Sequence, residues 1–181
     1  MGFKLAKIIT KTGDQGLTRL GDGSRVSKAS PRVMAIGGID ELNTSIGLLR
    51  AYVNNSEIID QLIIIQHQLL VTGSQLANSN RCALQTRHVE FLENWAATLM
   101  QQLDPVQDFV LPGGSKAAAH CHMARVTCRR TERYLIAADL KEDYIPTIMQ
   151  YLNRLSDVLF VLARVLNKEL GVSEIVLNRE I

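Results

Sequence analysis

The chain has 181 residues, 46% of them hydrophobic, and its 20 Lys and Arg against 18 Asp and Glu leave a net charge of +2. That length suits one domain with a substantial core, and so even a charge balance carries neither a nucleic-acid nor a membrane-surface footprint. Cys82, Cys121 and Cys128 have no CxxC spacing, which points to reduced thiols in a cytoplasmic setting rather than to a disulfide framework; the N-terminus has no apolar run long enough for a signal peptide or a span.

The first element is an arm over residues 1–30. Four of the chain's 12 glycines (Gly13, Gly16, Gly21 and Gly23) fall in TKTGDQGLTRLGDGSRVSK, residues 10–28, among Thr, Ser, Asp, Lys and Arg. Glycines let a backbone turn through φ > 0 and bring its N–H groups close to a ligand, while hydroxyls and cationic side chains suit phosphate oxygens. The GxxxxGK[ST] loop is absent. Two readings follow, an unusual phosphate cradle or a solvated arm with ordinary turns.

Helical patterns then take over. Ser30 and Pro31 have the chemistry of an N-cap and first turn, and Val33, Ile36, Ile39, Leu42, Ile46 and Leu49 recur at helical spacing to about residue 53. Ser56 is the expected cap of a second helix ending near Asn78. A third spans roughly 86–102 and is closed by Pro105. FVLPGGSK, residues 109–116, reads as a loop with Ser115 as the next cap. The fourth helix is expected over 116–139, and the fifth over 146–170, ended by Gly171. The fold class is therefore all-α: a four-helix bundle plus one extra helix, with a glycine-rich N-terminal arm. The tail, residues 171–181, reads as either a short strand or an unstructured end.

Polar residues line up within these helices. His122, Arg125, Arg129 and Glu132 form one stripe on the fourth helix, flanked by Arg130 and Arg133; Asn153, Asp157, Phe160 and Arg164 form another on the fifth. Asp40 and Asn43 stand on the first helix among positions suited to apolar residues. The bland reading is a set of solvated faces with intrahelical ion pairs worth about 0.2–0.5 kcal/mol each. The functional one adds Arg125 and Arg129 to Lys11, Arg25 and Lys28 as partners of a polyphosphate, with Asp14, Asp40, Asp157 and Glu132 orienting the arginines or sharing Mg²⁺ through phosphate oxygens. The four histidines, His67, His88, His120 and His122, lack a zinc-site spacing.

The arm, GGIDELNTSIG at 37–47, FVLPGG at 109–114, ARVTCRRTER at 124–133 and YLNRLSDVLFVLAR at 151–164 together resemble the PduO-type ATP:cob(I)alamin adenosyltransferases over nearly the whole chain. The resemblance implies a five-helix bundle assembled as a homotrimer, with ATP and the corrinoid bound between neighbouring subunits. It implies transfer of the 5′-deoxyadenosyl group of ATP to cob(I)alamin with release of triphosphate, using Mg²⁺. It assigns ATP binding to Thr10, Thr12, Gly13, Asp14, Gly16, Thr18, Arg25 and Lys28, and to Arg129, Glu132 and Asn153 of the neighbouring chain. Asp40 and Arg125 become an ion pair at the interface beside the corrinoid, His122 joins the corrinoid side, and Phe109 is the aromatic beneath the corrin; the catalytic group is Phe109, Asp40, Arg125 and Arg129. An electron-donating reductase and an adenosylcobalamin-dependent client enzyme are the implied partners. Gly38 departs from the family pattern, where Thr or Val is expected, a change expected to loosen the helix start; residues after Leu170 match no part of the pattern. The competing functions are a kinase or ATPase that hydrolyses its nucleotide, and a non-catalytic helical interaction module.

Overall fold

A computed structural model describes residues 9, 11–78, 83–106 and 108–180. Two short strands, β1 (Leu17–Arg19) and β2 (Arg25–Ser27), precede five helices: α1 (Pro31–Arg50), α2 (Ser56–Leu76), α3 (Thr86–Met100), α4 (Lys116–Ala137) and α5 (Ile145–Glu169). The expected helices are all present, with ends shifted by a few residues. Ser30 caps α1, its side chain accepting from the Val33 N–H at 3.4 Å, and Ser115 caps α4 in the same way through Ala118 at 3.1 Å. The cap of α2 is Asn55 rather than Ser56. Its Oδ1 accepts from the Glu57 and Ile58 N–H groups at 3.0 and 3.4 Å, satisfying two donors that the helix start leaves open.

α1 packs between α2 and α4, while α5 packs between α4 and α3. α4 runs antiparallel to α1 and to α5, since Thr131 meets Gly38 and the Cys121 and Cys128 thiols donate to the Leu159 and Leu152 carbonyls of α5 at 3.1 and 3.2 Å. Leu42, Ile46 and Leu49 of α1, Leu62, Ile65 and Leu69 of α2, and Leu152, Leu155 and Leu159 of α5 fill the core. α4 contributes Ala117, Ala118, Cys121, Ala124 and Cys128 instead. Small side chains there let its backbone approach its neighbours closely, and burial pushes both thiols well above their usual range.

Gly38 is not at a loose helix start. It is buried at the eighth position of α1, and a Cβ there would lie 3.0 Å from Thr131 Oγ1 and 3.2 Å from Tyr134 of α4. The Thr131 hydroxyl uses the opening to sit 2.9 Å from the Gly38 carbonyl, so the glycine sets the α1–α4 spacing. The C-terminal tail returns along the 109–111 segment, making a strand-like bridge between Val110 and Val176.

Candidate functional site

The glycine-rich arm is more ordered than a string of turns. β1 and β2 pair antiparallel, Thr18 opposite Val26, and the connection closes through the Leu20 N–H to Ser24 carbonyl bond at 2.9 Å, with Gly23 at φ 89°. Before the hairpin, the Gly16 N–H returns to the Gly13 carbonyl at 3.2 Å, and the Lys28 N–H donates to Gly16 O at 2.8 Å. Gly16 holds φ 77°, a left-handed value that a side chain would strain. Gly13 has a different reason for being glycine: Lys28 Nζ lies 3.0 Å from where its Cβ would be. A side chain there would displace the ammonium. Lys28, Arg25 and Asp14 are exposed around this turn, with Thr18 half-buried. Arg25 is partly committed to structure, donating from Nη2 to Thr12 O at 3.0 Å. Thr10 lies outside the described residues.

The hairpin is anchored to the bundle by side chains that composition and periodicity did not single out. Asp22 accepts from the Ser24 N–H and hydroxyl at 2.8 and 2.6 Å and from Asn78 Nδ2 at 2.9 Å. Those bonds, the Ser24 hydroxyl's first, hold its carboxyl down at about 2. Arg32 of α1 then joins Asn78 Oδ1 at 2.9 Å and the Leu76 carbonyl at 3.1 Å, and pairs with Glu142. The arm is thereby fixed at the end of the bundle where α1 begins and α2 ends.

Glu132 of α4 and Asn153 of α5, both half-buried, come together, with Asn153 Nδ2 3.5 Å from Glu132 Oε1. The Asn153 Oδ1 accepts from Arg154 at 3.0 Å, and Arg154 pairs with Glu93 of α3 at 2.8 Å. The intrahelical ion pairs of the bland reading do not form along the α4 stripe. Arg130 reaches across to Glu41 of α1, while Arg129 is exposed and pairs with no carboxylate among the described residues.

Deeper in the bundle, some polar side-chain atoms of α1 and α4 are buried and incompletely satisfied. Arg125 Nε, His122 Nδ1 and Asn43 Oδ1 are buried side-chain atoms without a hydrogen-bond partner. An orphaned donor or acceptor costs about 1–3 kcal/mol of desolvation, so each is a candidate ligand or interface contact. His122 packs its ring 6.3 Å from Phe160 at 57°. Burial first, and the Arg125 charge second, hold it below the usual histidine value, while Glu174 opposes both. Asp40 is exposed and makes no ion pair with Arg125 within the chain.

Phe109 is 75% exposed, in keeping with a loop aromatic that has no core to fill. Its loop is held by Asn167, a buried α5 residue that sequence reasoning missed because an Asn in an apolar stripe has no partner in the linear pattern. Asn167 accepts from the Ser115 N–H at 2.8 Å and donates to the Gly113 carbonyl at 3.1 Å. Gly114, at φ 98°, leaves room for it; a Cβ would stand 2.3 Å from Asn167 Oδ1.

The fold and the sequence both match a known family. A cobalamin adenosyltransferase family model matches residues 8–166. A cobalamin adenosyltransferase of Cupriavidus metallidurans is 46% identical, covering 99% of this chain and 98% of its own, and a corrinoid adenosyltransferase of Bacillus subtilis is 39% identical over 96% and 93%. Among solved structures, a phenylalanine-to-alanine variant of the Lactobacillus reuteri PduO-type ATP:corrinoid adenosyltransferase, complexed with cobalamin and ATP, superposes with a TM-score of 0.89 at 31% identity, covering 96% of this chain and all of that one. An arginine-to-lysine variant of the same enzyme, complexed with ATP, gives 0.88 at 31% identity, over 94% of this chain and 100% of its own. The chain belongs to the cobalamin adenosyltransferase family, and its activity is ATP-dependent adenosylation of a corrinoid.

Proposed function

We propose that the arm residues Thr10, Thr12, Gly13, Asp14, Gly16, Thr18, Arg25 and Lys28 of one subunit, with Arg129, Glu132 and Asn153 of its neighbour, bind ATP, and that Asp40, Phe109, His122 and Arg125 face the corrinoid. The observation that carries this reading is topological. Within one chain the arm is docked where α1 begins, whereas the Phe109 loop leads into α4 and is tied to the far end of α5. The 20 residues of α1 alone span about 30 Å. That separation supports a site completed by a second chain, as in a homotrimer with shared sites.

In the transfer, the Co(I) electron pair attacks C5′ of the ribose; a Co–C bond forms, the C5′–O bond breaks, and triphosphate leaves with that bond's electrons. Co(I) has no proton to lose, so no catalytic Ser, Cys or general base is required. The protein's task is orientation and positive charge for the leaving group, which the arm's N–H groups, Lys28 and the unpaired Arg129 provide. Mg²⁺ would neutralise charge on the departing triphosphate, and the exposed Asp14 is a carboxylate that would help hold it. A reductase supplies the electron that makes Co(I), and a client enzyme takes the product in the cytoplasm. No helix among the described residues is long and apolar enough to cross a membrane.

Chemically reduced cobalamin mixed with MgATP and the protein is expected to show the absorbance change of Co–C bond formation with stoichiometric triphosphate. Release of phosphate or diphosphate would identify the kinase or ATPase alternative. Arg129→Ala should lose ~1.5–3 kcal/mol of polyphosphate binding, roughly ten- to a hundredfold in kcat/KM, with Arg129→Lys rescuing in part because a fork becomes a point charge. Full activity in a folded Arg129→Ala protein would remove that residue from the site.

The shared site has its own test. Chains carrying Arg129→Ala and chains carrying Lys28→Ala are each expected to be impaired alone, yet mixed oligomers regain activity, because some interfaces then hold both intact residues. No recovery after verified subunit exchange would place the whole site in one chain.

A further inference from the structure

The segment carrying Phe109 buries little of itself: Phe109 is 75% and Leu111 48% exposed. The C-terminal tail holds it. The Leu111 N–H donates to the Ile175 carbonyl at 2.8 Å and the Leu177 N–H to the Phe109 carbonyl at 2.7 Å, so the backbone on both sides of Val110 is paired to the tail. Side chains lock the two ends of this bridge. Arg179 places Nε and Nη2 at 2.8 and 2.9 Å from the two oxygens of Asp108, the residue just before Phe109. Glu174 grips Arg164 Nε with both oxygens, at 3.0 and 3.1 Å, and the Arg164 Nη2 reaches the Asp104 carbonyl at 2.9 Å. That inner pair is 11% and 19% exposed, whereas Arg179 is 69% exposed.

We propose that the tail, residues 172–180, is a positioning element for the corrinoid step, in which the Arg179–Asp108 fork fixes the backbone register that aims Phe109. The inference rests on the proposed place of Phe109 beneath the corrin, where an apolar ring would exclude the lower axial base and leave cob(II)alamin four-coordinate. A two-stranded bridge this short is only marginally stable by itself, so the forks at its ends decide how fully it is formed. The inner pair, shielded from water, anchors the tail to α5. The outer fork is bidentate, which defines orientation as well as attraction. Its loss frees Phe109 to sample other positions without disturbing the arm, which is docked where α1 begins.

The test compares the full chain with Arg179→Ala, Arg179→Lys, and the charge exchange Asp108→Arg with Arg179→Asp. Amide hydrogen exchange of peptides covering 108–114, measured without corrinoid, should quicken about tenfold in Arg179→Ala. MgATP affinity by calorimetry should be unchanged, while the four-coordinate fraction of cob(II)alamin bound with MgATP falls several-fold. The lysine variant should recover part of both effects and the charge exchange more. Unchanged exchange and an unchanged four-coordinate fraction in Arg179→Ala would overturn the proposal, as would an equal loss of MgATP affinity. Should the parent protein adenosylate cob(I)alamin without forming any four-coordinate species, the role of Phe109 falls, yet the exchange measurement still decides whether the fork orders the loop.

Discussion

Phe109→Ala is expected to lower turnover from cob(II)alamin with a mild reductant by on the order of 10²–10³-fold, equivalent to ~3–4 kcal/mol, with MgATP affinity and fold nearly unchanged. The reason is the cobalt's coordination. Co(II) with a base below the ring is hard to reduce, and an apolar ring that occupies that position removes the base and eases reduction. Phe109 is suited to this because it is mostly exposed on a backbone held by Asn167 and the tail; removing it opens no core cavity. The loss should be much smaller when cob(I)alamin is supplied ready-made. The decisive spectrum is that of cob(II)alamin with MgATP, where the parent should show a base-free, four-coordinate species. If Phe109→Ala retains that species in full, the ring does not exclude the base. If stability and every assay fall together, Phe109 merely anchors its loop.

The second large effect is expected at the subunit interface. Arg125→Ala and Asp40→Ala should each cost ~3–5 kcal/mol in assembly and activity, because removing one partner strands the other charge away from water. Arg125 has a buried Nε without a partner in the single chain, and Asp40 is exposed there. Asp40 of the partner subunit would satisfy it. The double variant should then lose less than the sum of the single ones, since neither charge is left alone. Strict additivity, with oligomer content and kcat/KM measured for all four proteins, would show that the two side chains do not interact.

Periodicity reached the helices because each buries one stripe, and the burial of Leu42, Ile46 and Leu49 follows from their spacing alone. The hairpin within the arm was not legible. Three-residue strands such as LTR and RVS are too short for alternation to show, and their pairing depends on the turn between them. Asn55 outcompeted Ser56 as a cap because both have suitable side chains and only the exit angle of the chain chooses between them. Gly38 misled for a related reason: a glycine read along its own helix is a weakness, whereas read against Thr131 and Tyr134 of α4 it is what allows close packing.

The sequence by itself determined the all-α class, the arm's glycine and cation chemistry and, through five motifs in order, the family. Those are properties of local spacing and residue type. The tertiary structure decided which side chains meet. It spent Arg25 in part on Thr12, paired Arg130 rather than Arg129 with a carboxylate of α1, left Arg125, His122 and Asn43 with orphaned atoms, and brought the tail back onto the Phe109 loop. Such pairings join residues from 13 to 89 positions apart, and their energies depend on distance and burial, neither of which is written in the order of the residues.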